Sequence, residues 1–416
     1  MRCPECGADV AARGGQPSCE RRRSPLIVVV PFVLVVLVAL GIGVSVLASR
    51  SHTSAALQAT WTPLGRSGDL PGTCIPELVS WHSVLYGAGA VVVDQSLEKT
   101  RSPVVWRFDA AQGWAKVWDK GEISQATQQW LFVERGHLLL LNAYETSTRA
   151  WISQNGTVWS EVPVQFVGSL HPVVRAVAQR AGRLVAVVLD ETSPPVERLY
   201  RSDDGASWVE AAPSMGRATL TSIAAGSSGF AVGGATNDGL PAVWTSPDGV
   251  RWSLAVLGSG PGQVSDVAAG GGHLVATGRT GIEPDSTRAA WFTSGSRWRT
   301  VALLDGPNEP YLIAASGSFV WFDGNGRTVS SMSSVDGSAW TPVPFRLPPG
   351  ESVASVCSNA TPYQGGLALF AYDAPNPGQL QLPVPWLVKL SRRAIGHTIQ
   401  DINARLPLSP QPGGSQ

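Results

Sequence analysis

The chain has 416 residues, with 31 basic and 31 acidic side chains and a formal net charge of zero. This balance disfavours general nucleic-acid binding, which requires a surplus of basic residues to meet phosphates. The high content of Trp (16), Gly (45) and Pro (31) favours many short strands joined by tight turns over a helical bundle.

The first 25 residues contain three of the five cysteines. Cys3 and Cys6 form a CxxC pair like the first knuckle of a zinc ribbon, in which two thiolates reach one tetrahedral Zn²⁺. Cys19 follows, but Arg22 stands where a ribbon has its fourth ligand. A closed four-ligand site within one chain would take a carboxylate from this segment: Asp9, Glu5 or Glu20.

Two interpretations of this segment stay open. One is a decayed ribbon without metal, and the other is Zn²⁺ bound by Cys3, Cys6 and Cys19, as a three-thiolate site or shared with another chain. No other cofactor is predicted.

Residues 26–48 (LIVVVPFVLVVLVALGIGVSVLA) carry no charge over 23 positions. At about 1.5 Å per residue this segment spans about 34 Å as a helix, enough for a bilayer core. Arginines cluster before it and only Arg50 follows closely, so the positive-inside rule keeps residues 1–25 in the cytoplasm and exports the rest. A cleaved signal peptide is the alternative, but its apolar core is typically only about 7–15 residues long. We therefore predict a single-pass anchor in the cell membrane, followed by a short stalk at 49–60.

A repeat dominates the exported part. Its shared core is Ser-x-Asp/Asn-Gly-x-x-Trp, found at 151–159 (WISQNGTVW), 200–208 (YRSDDGASW), 244–252 (WTSPDGVRW) and 332–340 (MSSVDGSAW). Degenerate copies stand at 106–114 (WRFDAAQGW) and 291–298 (WFTSGSRW). The closing tryptophans are 45, 49, 44, 46 and 42 residues apart, which is the length of a four-stranded propeller blade.

The chemistry of this motif is that of a hairpin turn. Ser and Asp side chains accept hydrogen bonds from turn amides, Gly supplies the positive φ, and Trp starts the next strand. The predicted turn residues are the following: Ser153, Asn155, Trp159, Ser202, Asp204, Trp208, Ser246, Asp248, Trp252, Ser334, Asp336 and Trp340.

The motif resembles the Asp-box repeat of sialidase-type, BNR-like propellers, over about residues 61–402. That family has one more residue between Asp and Gly, so these copies resemble the shortened form of bacterial Asp-box-like propellers. The resemblance implies that the motif lies on the outer rim, away from the ligand face, and that its residues are scaffold.

Seven apolar second strands set the blade number. They are 90–93 (AVVV), 138–143 (LLLLNA), 184–189 (LVAVVL), 230–234 (FAVGG), 274–278 (LVATG), 319–322 (FVWF) and 367–372 (LALFAY). Trp61-Thr62-Pro63 matches Trp340-Thr341-Pro342 at the start of a fourth strand, yet it precedes the first full blade. We therefore predict an all-β fold: a seven-bladed β-propeller of four-stranded blades at 61–406, closed by Trp61 completing the last blade. The transmembrane helix precedes it, and a disordered tail follows at 407–416.

Cys74 and Cys357 are the two exported cysteines. Cys74 precedes the first strand of blade one and Cys357 lies near the first strand of blade seven, and these strands become neighbours only in a closed ring. An oxidising compartment and the absence of a third exported thiol favour one disulfide between them.

A polar ring is predicted where each second strand ends, because strand 2–3 loops share one face of a propeller with the connectors between blades. Carboxylates and some arginines recur there, and the candidate ligand-binding residues are Asp94, Glu145, Asp190, Arg198, Asp238, Asp285, Arg288, Asp323 and Asp373. The alternative is that Asp opens turns and loops are simply polar.

Signals for catalysis are few, and no catalytic residue is predicted. The Phe/Tyr-Arg-Ile-Pro signature of sialidases is missing near blade one, where Cys74-Ile75-Pro76-Glu77 stands. We therefore expect a membrane-tethered, non-enzymatic module that recognises an exported protein or a glycan. The alternatives are a sialidase-like glycoside hydrolase and an assembly or stability factor for an exported complex.

Overall fold

The computed structural model describes most of the exported part of the chain. The described residues are 57–65, 75–92, 101–121, 126–144, 147–191, 194–211, 215–282, 286–294, 297–302, 311–315, 318–324, 329–349, 351, 353, 355–372 and 383–392. The predicted membrane span, the stalk up to residue 56 and the C-terminal tail lie outside them. In the described part of the chain, no helix has the length and apolarity needed to cross a membrane.

The first half of the fold comprises a leading strand and three blades. Their strands are β1 (Leu57–Pro63), β2 (Glu77–Trp81), β3 (Val84–Val92), β4 (Arg101–Asp109), β5 (Gly113–Asp119), β6 (Ala126–Glu134), β7 (His137–Tyr144), β8 (Thr148–Ser153), β9 (Ser160–Val162), β10 (Gln165–Phe166), β11 (Pro172–Arg180), β12 (Arg183–Asp190), β13 (Val196–Ser202) and β14 (Ser207–Glu210).

Four further blades complete the ring. Their strands are β15 (Thr219–Gly226), β16 (Gly229–Ala235), β17 (Pro241–Ser246), β18 (Ser253–Val256), β19 (Gly262–Gly270), β20 (His273–Thr280), β21 (Thr287–Ser294), β22 (Arg297–Ala302), β23 (Tyr311–Ala315), β24 (Ser318–Gly324), β25 (Val329–Ser334), β26 (Thr341–Pro342), β27 (Phe345–Arg346), β28 (Ser355–Val356), β29 (Thr361–Tyr363), β30 (Gly366–Tyr372) and β31 (Pro383–Arg392).

Each of the seven sheets is built on an antiparallel set of four strands, which confirms the predicted seven-bladed propeller. Blades one to six are β2–β5, β6–β9, β11–β14, β15–β18, β19–β22 and β23–β26. In blade seven, β28 and β29 together act as the first strand, followed by β30, β31 and β1. The second strands are buried along almost their whole length, as in β7 and β16, because each blade packs against a neighbour on both faces.

The ring closes through β1, as the match between Trp61 and Trp340 predicts. β1 pairs antiparallel with β31 over seven residues, with Trp61 opposite Val388. The strand begins at Leu57, four residues before the predicted start of the propeller, so residues 57–60 belong to the last blade rather than to a stalk. The N-terminal and C-terminal strands of the propeller thus form one sheet.

Two blades carry an extra parallel strand on their outer edge. β10, in the connector between blades two and three, pairs with β14, and β27, between blades six and seven, pairs with β1. The sequence patterns above do not predict these additions, since each involves only two residues.

The repeated turns adopt the predicted geometry. In the third blade, the Gly205 amide donates to the Ser202 hydroxyl at 2.8 Å, and the Ser202 hydroxyl donates to Asp204 at 2.9 Å. The turns at Ser153, Ser246 and Ser334 repeat the amide-to-hydroxyl bond. Each central glycine has a φ between 73° and 85°. These turns join the third and fourth strands at the face opposite the strand 2–3 loops.

Tryptophan side chains fill the spaces between blades. Trp61, Trp106, Trp151, Trp208 and Trp291 are each almost fully buried. A buried aromatic ring of this size contributes a large apolar area, so these tryptophans account for much of the packing between sheets.

Candidate functional site

Nine polar residues were predicted for one face of the propeller, called the loop face below. Strand 2–3 loops and the connectors between blades lie on this face, and the hairpin turns lie on the other. Of the nine predicted residues, four lie outside the described part: Asp94, Glu145, Asp285 and Asp373. Asp323 is described only as backbone, at the end of β24.

Two of the remaining four candidates, Asp238 and Arg288, differ in their surroundings. Asp238 is exposed in a turn after β16, where the Gly239 amide donates to the Thr236 carbonyl. Arg288 is buried on β21, opposite Arg279 on β20. Asp238 and Arg288 belong to neighbouring blades, four and five.

Asp190 and Arg198 do meet, in blade three. Arg198 Nε lies 3.6 Å from Asp190 Oδ2, and Arg198 Nη1 lies 3.1 Å from Glu210 Oε1. The Ser169 hydroxyl donates to Asp190 Oδ1 at 2.9 Å. Asp190 is only 4% exposed, so its carboxylate holds the adjacent connector in place rather than facing solvent.

Tyr200 completes this polar network. Burial raises the pKa of Tyr200, and the carboxylates of Glu210 and Asp190 raise it further. The phenol therefore stays neutral at physiological pH. The sequence pattern predicted Asp190 and Arg198 as candidate ligand-binding residues. It did not predict Glu210 or Ser169, which lie on other elements and belong to no recognised pattern.

Beside this network lies a groove of about 520 Å³ on the loop face. One wall is formed by Ser147 and Thr148 at the start of the third strand of blade two. The other is the connector between blades two and three, residues 164–170 with Pro172. Thr148 Oγ1 donates to the Pro172 carbonyl at 3.5 Å where the walls approach.

The connector wall is fixed by backbone and ring contacts. The Gln165 and Val167 amides donate to the carbonyls of Ala206 and Trp208 at 2.8 and 2.9 Å. The Phe166 ring stacks on the Trp208 ring with centroids 5.3 Å apart. Yet Val167 and Leu170 point outward, and Leu170 is 89% exposed. A rigid wall with outward apolar side chains is typical of a docking surface.

A second polar cluster joins blade seven to blade one at the central channel. The Asn359 amide donates to the Pro76 carbonyl at 2.8 Å, and the Leu78 amide donates to Asn359 Oδ1 at 2.7 Å. Asn359 Nδ2 donates to Glu77 Oε2 at 2.8 Å. Burial raises the pKa of Glu77 to about 8, so this carboxyl is protonated at neutral pH.

The sequence pointed to these residues only indirectly. Asn359 heads a glycosylation-type triplet, Asn359-Ala360-Thr361, and Glu77 stands where a sialidase signature is missing. The structure instead uses the Asn359 side chain to join two blades.

The cysteines are only partly described. Cys357 packs against a core cluster that contains Ile75, the residue after Cys74. Cys74, Cys3, Cys6 and Cys19 lie outside the described residues, so the disulfide and the zinc site stay predictions. Within the described ranges, no group of three or more His, Cys, Asp or Glu side chains is arranged to hold a metal ion.

These observations define the chain as a seven-bladed β-propeller protein with a groove and a polar network on its loop face. No protein-family model and no curated protein matches the sequence. Solved structures share the fold. The polysaccharide lyase Uly1 is 10% identical, with 78% of this chain and 91% of that chain covered and a TM-score of 0.51.

Two further solved structures are similar at the same level. The WD40 domain of Toxoplasma gondii coronin is 13% identical, over 82% of this chain and 88% of that one, with a TM-score of 0.50. A puromycin hydrolase is 9% identical, over 82% of this chain and 57% of that one, with a TM-score of 0.51. Since proteins of such different names share the architecture, the similarity shows the fold alone.

Proposed function

We propose that this propeller is a non-enzymatic recognition module, of the Asp-box-like class, that binds an exported polypeptide at the groove between blades two and three. The observation that carries the proposal is the exposed apolar pair Val167 and Leu170 on a wall fixed by backbone hydrogen bonds. A wall that is already ordered loses little conformational entropy when a partner docks on it.

A polypeptide fits this groove better than a glycan. Glycan sites commonly place an aromatic face against the sugar, whereas Phe166, the aromatic residue of the groove lining, stacks on Trp208. The lining instead combines aliphatic side chains with Ser147, Thr148 and Gln165, a mixture suited to an extended peptide with alternating apolar and polar residues.

The polar network argues against a hydrolase at this position. A glycoside hydrolase needs two carboxyl groups facing the scissile bond. Here Asp190 and Glu210 both face Arg198, at 3.6 and 3.1 Å. Their charges are compensated within the protein, which suits a bracing role for the connector.

We further propose the topology that the sequence indicates. Residues 26–48 anchor the chain in the membrane, residues 1–25 stay in the cytoplasm, and the propeller is extracytoplasmic with a Cys74–Cys357 disulfide. For the N-terminal segment two proposals stay open: a ribbon remnant without metal, or Zn²⁺ bound by Cys3, Cys6 and Cys19. Labelling with a membrane-impermeant maleimide, before and after permeabilisation and with a chelator present to free any zinc-bound thiol, tests the topology through Cys3 and Cys6.

Site-specific photo-crosslinking tests the groove. A benzophenone amino acid is placed at Leu170 or, as a matched control, at Val158, which is 67% exposed in a hairpin turn on the opposite face. We expect a discrete crosslinked polypeptide from native membranes at position 170 only, and its loss in a Val167→Asp variant. Equal crosslinking at both positions would contradict the proposal.

Two parallel assays separate the alternatives. If the purified chain binds to a glycan array and Leu170→Asp abolishes that binding, the ligand of the groove is a glycan rather than a polypeptide. Hydrolysis of fluorogenic glycosides would favour the sialidase-like alternative. The assembly-factor alternative would be favoured if the crosslinked partner is a subunit of a membrane complex and the abundance of that complex falls in the Leu170→Asp strain.

A further inference from the structure

The two added strands show how this propeller protects an outer edge. The Gln165 and Val167 amides of the first connector donate to the Ala206 and Trp208 carbonyls at 2.8 and 2.9 Å. At blade seven, the Ala59 amide donates to the Pro344 carbonyl at 3.2 Å. Both added segments have a proline followed closely by phenylalanine: 163–166 (PVQF) and 344–346 (PFR).

Five other outer strands end their sheets among the described strands, and four of them carry residues that hinder strand addition. Charged side chains and proline on an edge strand protect it from pairing with other chains. The protecting residues are Lys116 and Asp119 on β5, Glu161 on β9, Arg297 and Arg299 on β22, and Pro342 on β26.

The fifth, β18 of blade four, has the sequence Ser-Leu-Ala-Val and so has neither charge nor proline. Leu254 and Val256 are 53% and 47% exposed, and Val250 in the preceding turn is also exposed. Within the described residues, β18 pairs only with β17. The preceding connector, where described at Ala211 and 215–218, forms no strand on it.

The exposed side chains of β18 lie at the seam between blades three and four. Leu254 is opposite Trp244, and Val256 is opposite Ala242. Trp244 and Ala242 belong to the core cluster that blade four shares with Val187 and Leu199 of blade three. The outer edge of blade four therefore forms an apolar slot for one strand. It lies at the position that β10 occupies on blade three and β27 occupies on blade seven.

We infer that β18 accepts an extended segment of a partner protein by parallel strand addition along Ser253–Val256. The partner segment is uncharged where it faces Leu254 and Val256, and it carries an aromatic or aliphatic residue over Trp252, as Phe166 lies on Trp208. A second copy of this chain is the less suitable occupant, because edge-to-edge contact of two four-residue strands buries far less than the roughly 1,200 Å² of a stable interface.

The protein's own added strand supplies the probe. A synthetic peptide with the sequence of residues 162–167 (VPVQFV) carries a diazirine amino acid at the phenylalanine position and is irradiated with the solubilised full-length chain. Mass spectrometry then maps the crosslinks. We expect them within 250–256, and a scrambled peptide should give none.

Two substitutions make the test specific. Leu254→Lys places a charge on the slot and should reduce crosslinking about tenfold, which corresponds to about 1.4 kcal/mol. Thr300→Lys, at an exposed position of the protected strand β22, should leave it unchanged. Both side chains are exposed, so thermal unfolding should be the same in both variants. If Leu254→Lys is destabilised, Val256→Lys replaces it.

Three results would overturn the inference: crosslinks spread evenly over the outer strands, crosslinking unaffected by Leu254→Lys, or no crosslinks. A concentration-dependent dimer in ultracentrifugation that Leu254→Lys dissociates would identify a second copy as the occupant and would also refute it. None of these outcomes changes the expectation at Leu170, because the groove lies at a different seam.

Discussion

Glu77 makes the stability of the propeller depend on pH in a direction opposite to that of most carboxylates. Its pKa rises from an ordinary 4.5 to about 8 on folding, because burial disfavours the charged form. The stabilisation is therefore fully present below about pH 4.5 and is lost as pH rises through about 8. A paired surface carboxylate has the reverse effect.

The magnitude follows from the pKa change. Each pKa unit corresponds to about 1.36 kcal/mol, so the ceiling on the loss between pH 4.5 and 8 is about 5 kcal/mol. Water that reaches the partly buried carboxylate reduces this loss, and we expect about 2 kcal/mol or more. Glu77→Gln keeps an oxygen that accepts from Asn359 Nδ2 but cannot ionise, so this contribution to the pH dependence disappears.

The assay is urea unfolding of the solubilised full-length chain at pH 5, 6.5 and 8, followed by tryptophan fluorescence. Wild type and Glu77→Gln should have similar free energies of unfolding at pH 5, and the variant should be the more stable at pH 8. Glu161→Gln, on the edge strand β9, should retain the wild-type pH dependence. An unchanged pH dependence in Glu77→Gln would refute the reasoning.

Three further substitutions test the packing, each by the free energy of unfolding. Asn142 is fully buried on β7 with neither side-chain amide atom hydrogen-bonded, so Asn142→Leu should stabilise the fold by about 1–3 kcal/mol; destabilisation would show that the amide has a partner. Ser246→Ala removes the acceptor of the Gly249 amide and should cost about 1–2 kcal/mol, with Ser253→Ala as an exposed control that should change little. Gly205→Ala places a Cβ 2.3 Å from a Leu139 methyl group at a φ of +75° and should cost at least about 2 kcal/mol; a neutral result would contradict the turn geometry.

The parts of the fold that repeat were predictable from the sequence. The Ser-Asp-Gly-Trp turns depend on residues within seven positions of one another, and their spacing sets the blade length. The position of β1 was predictable for the same reason, since Trp61-Thr62-Pro63 copies a fourth strand. The predicted boundary was four residues late because residues 57–60 pair with the distant strand β31 and have no motif of their own.

The contacts between blades were not predictable in this way. Asp190 and Arg198 are close in sequence, and their pattern indicated an open polar rim. The structure places Asp190 under a connector because Ser169, 21 residues earlier, donates to it. Likewise Asn359 donates to Glu77 across 282 positions of the chain. Such pairs form only once the ring has closed, and a single sequence shows no pattern that joins them.

The way in which the ring closes bears on where partners can bind. At the outer wall, β1 completes the sheet of blade seven, and at the channel, Asn359 joins that blade to Pro76, Glu77 and Leu78. Because the ring is fixed both at its outer wall and at the channel, its blades resist separation. The channel is therefore poorly suited to a partner that must widen it to enter. The groove at Leu170 and the edge at Leu254 lie away from the channel, on surfaces already ordered before binding. Recognition there loses little conformational entropy, and for that reason we place both proposed interactions on the periphery of the propeller.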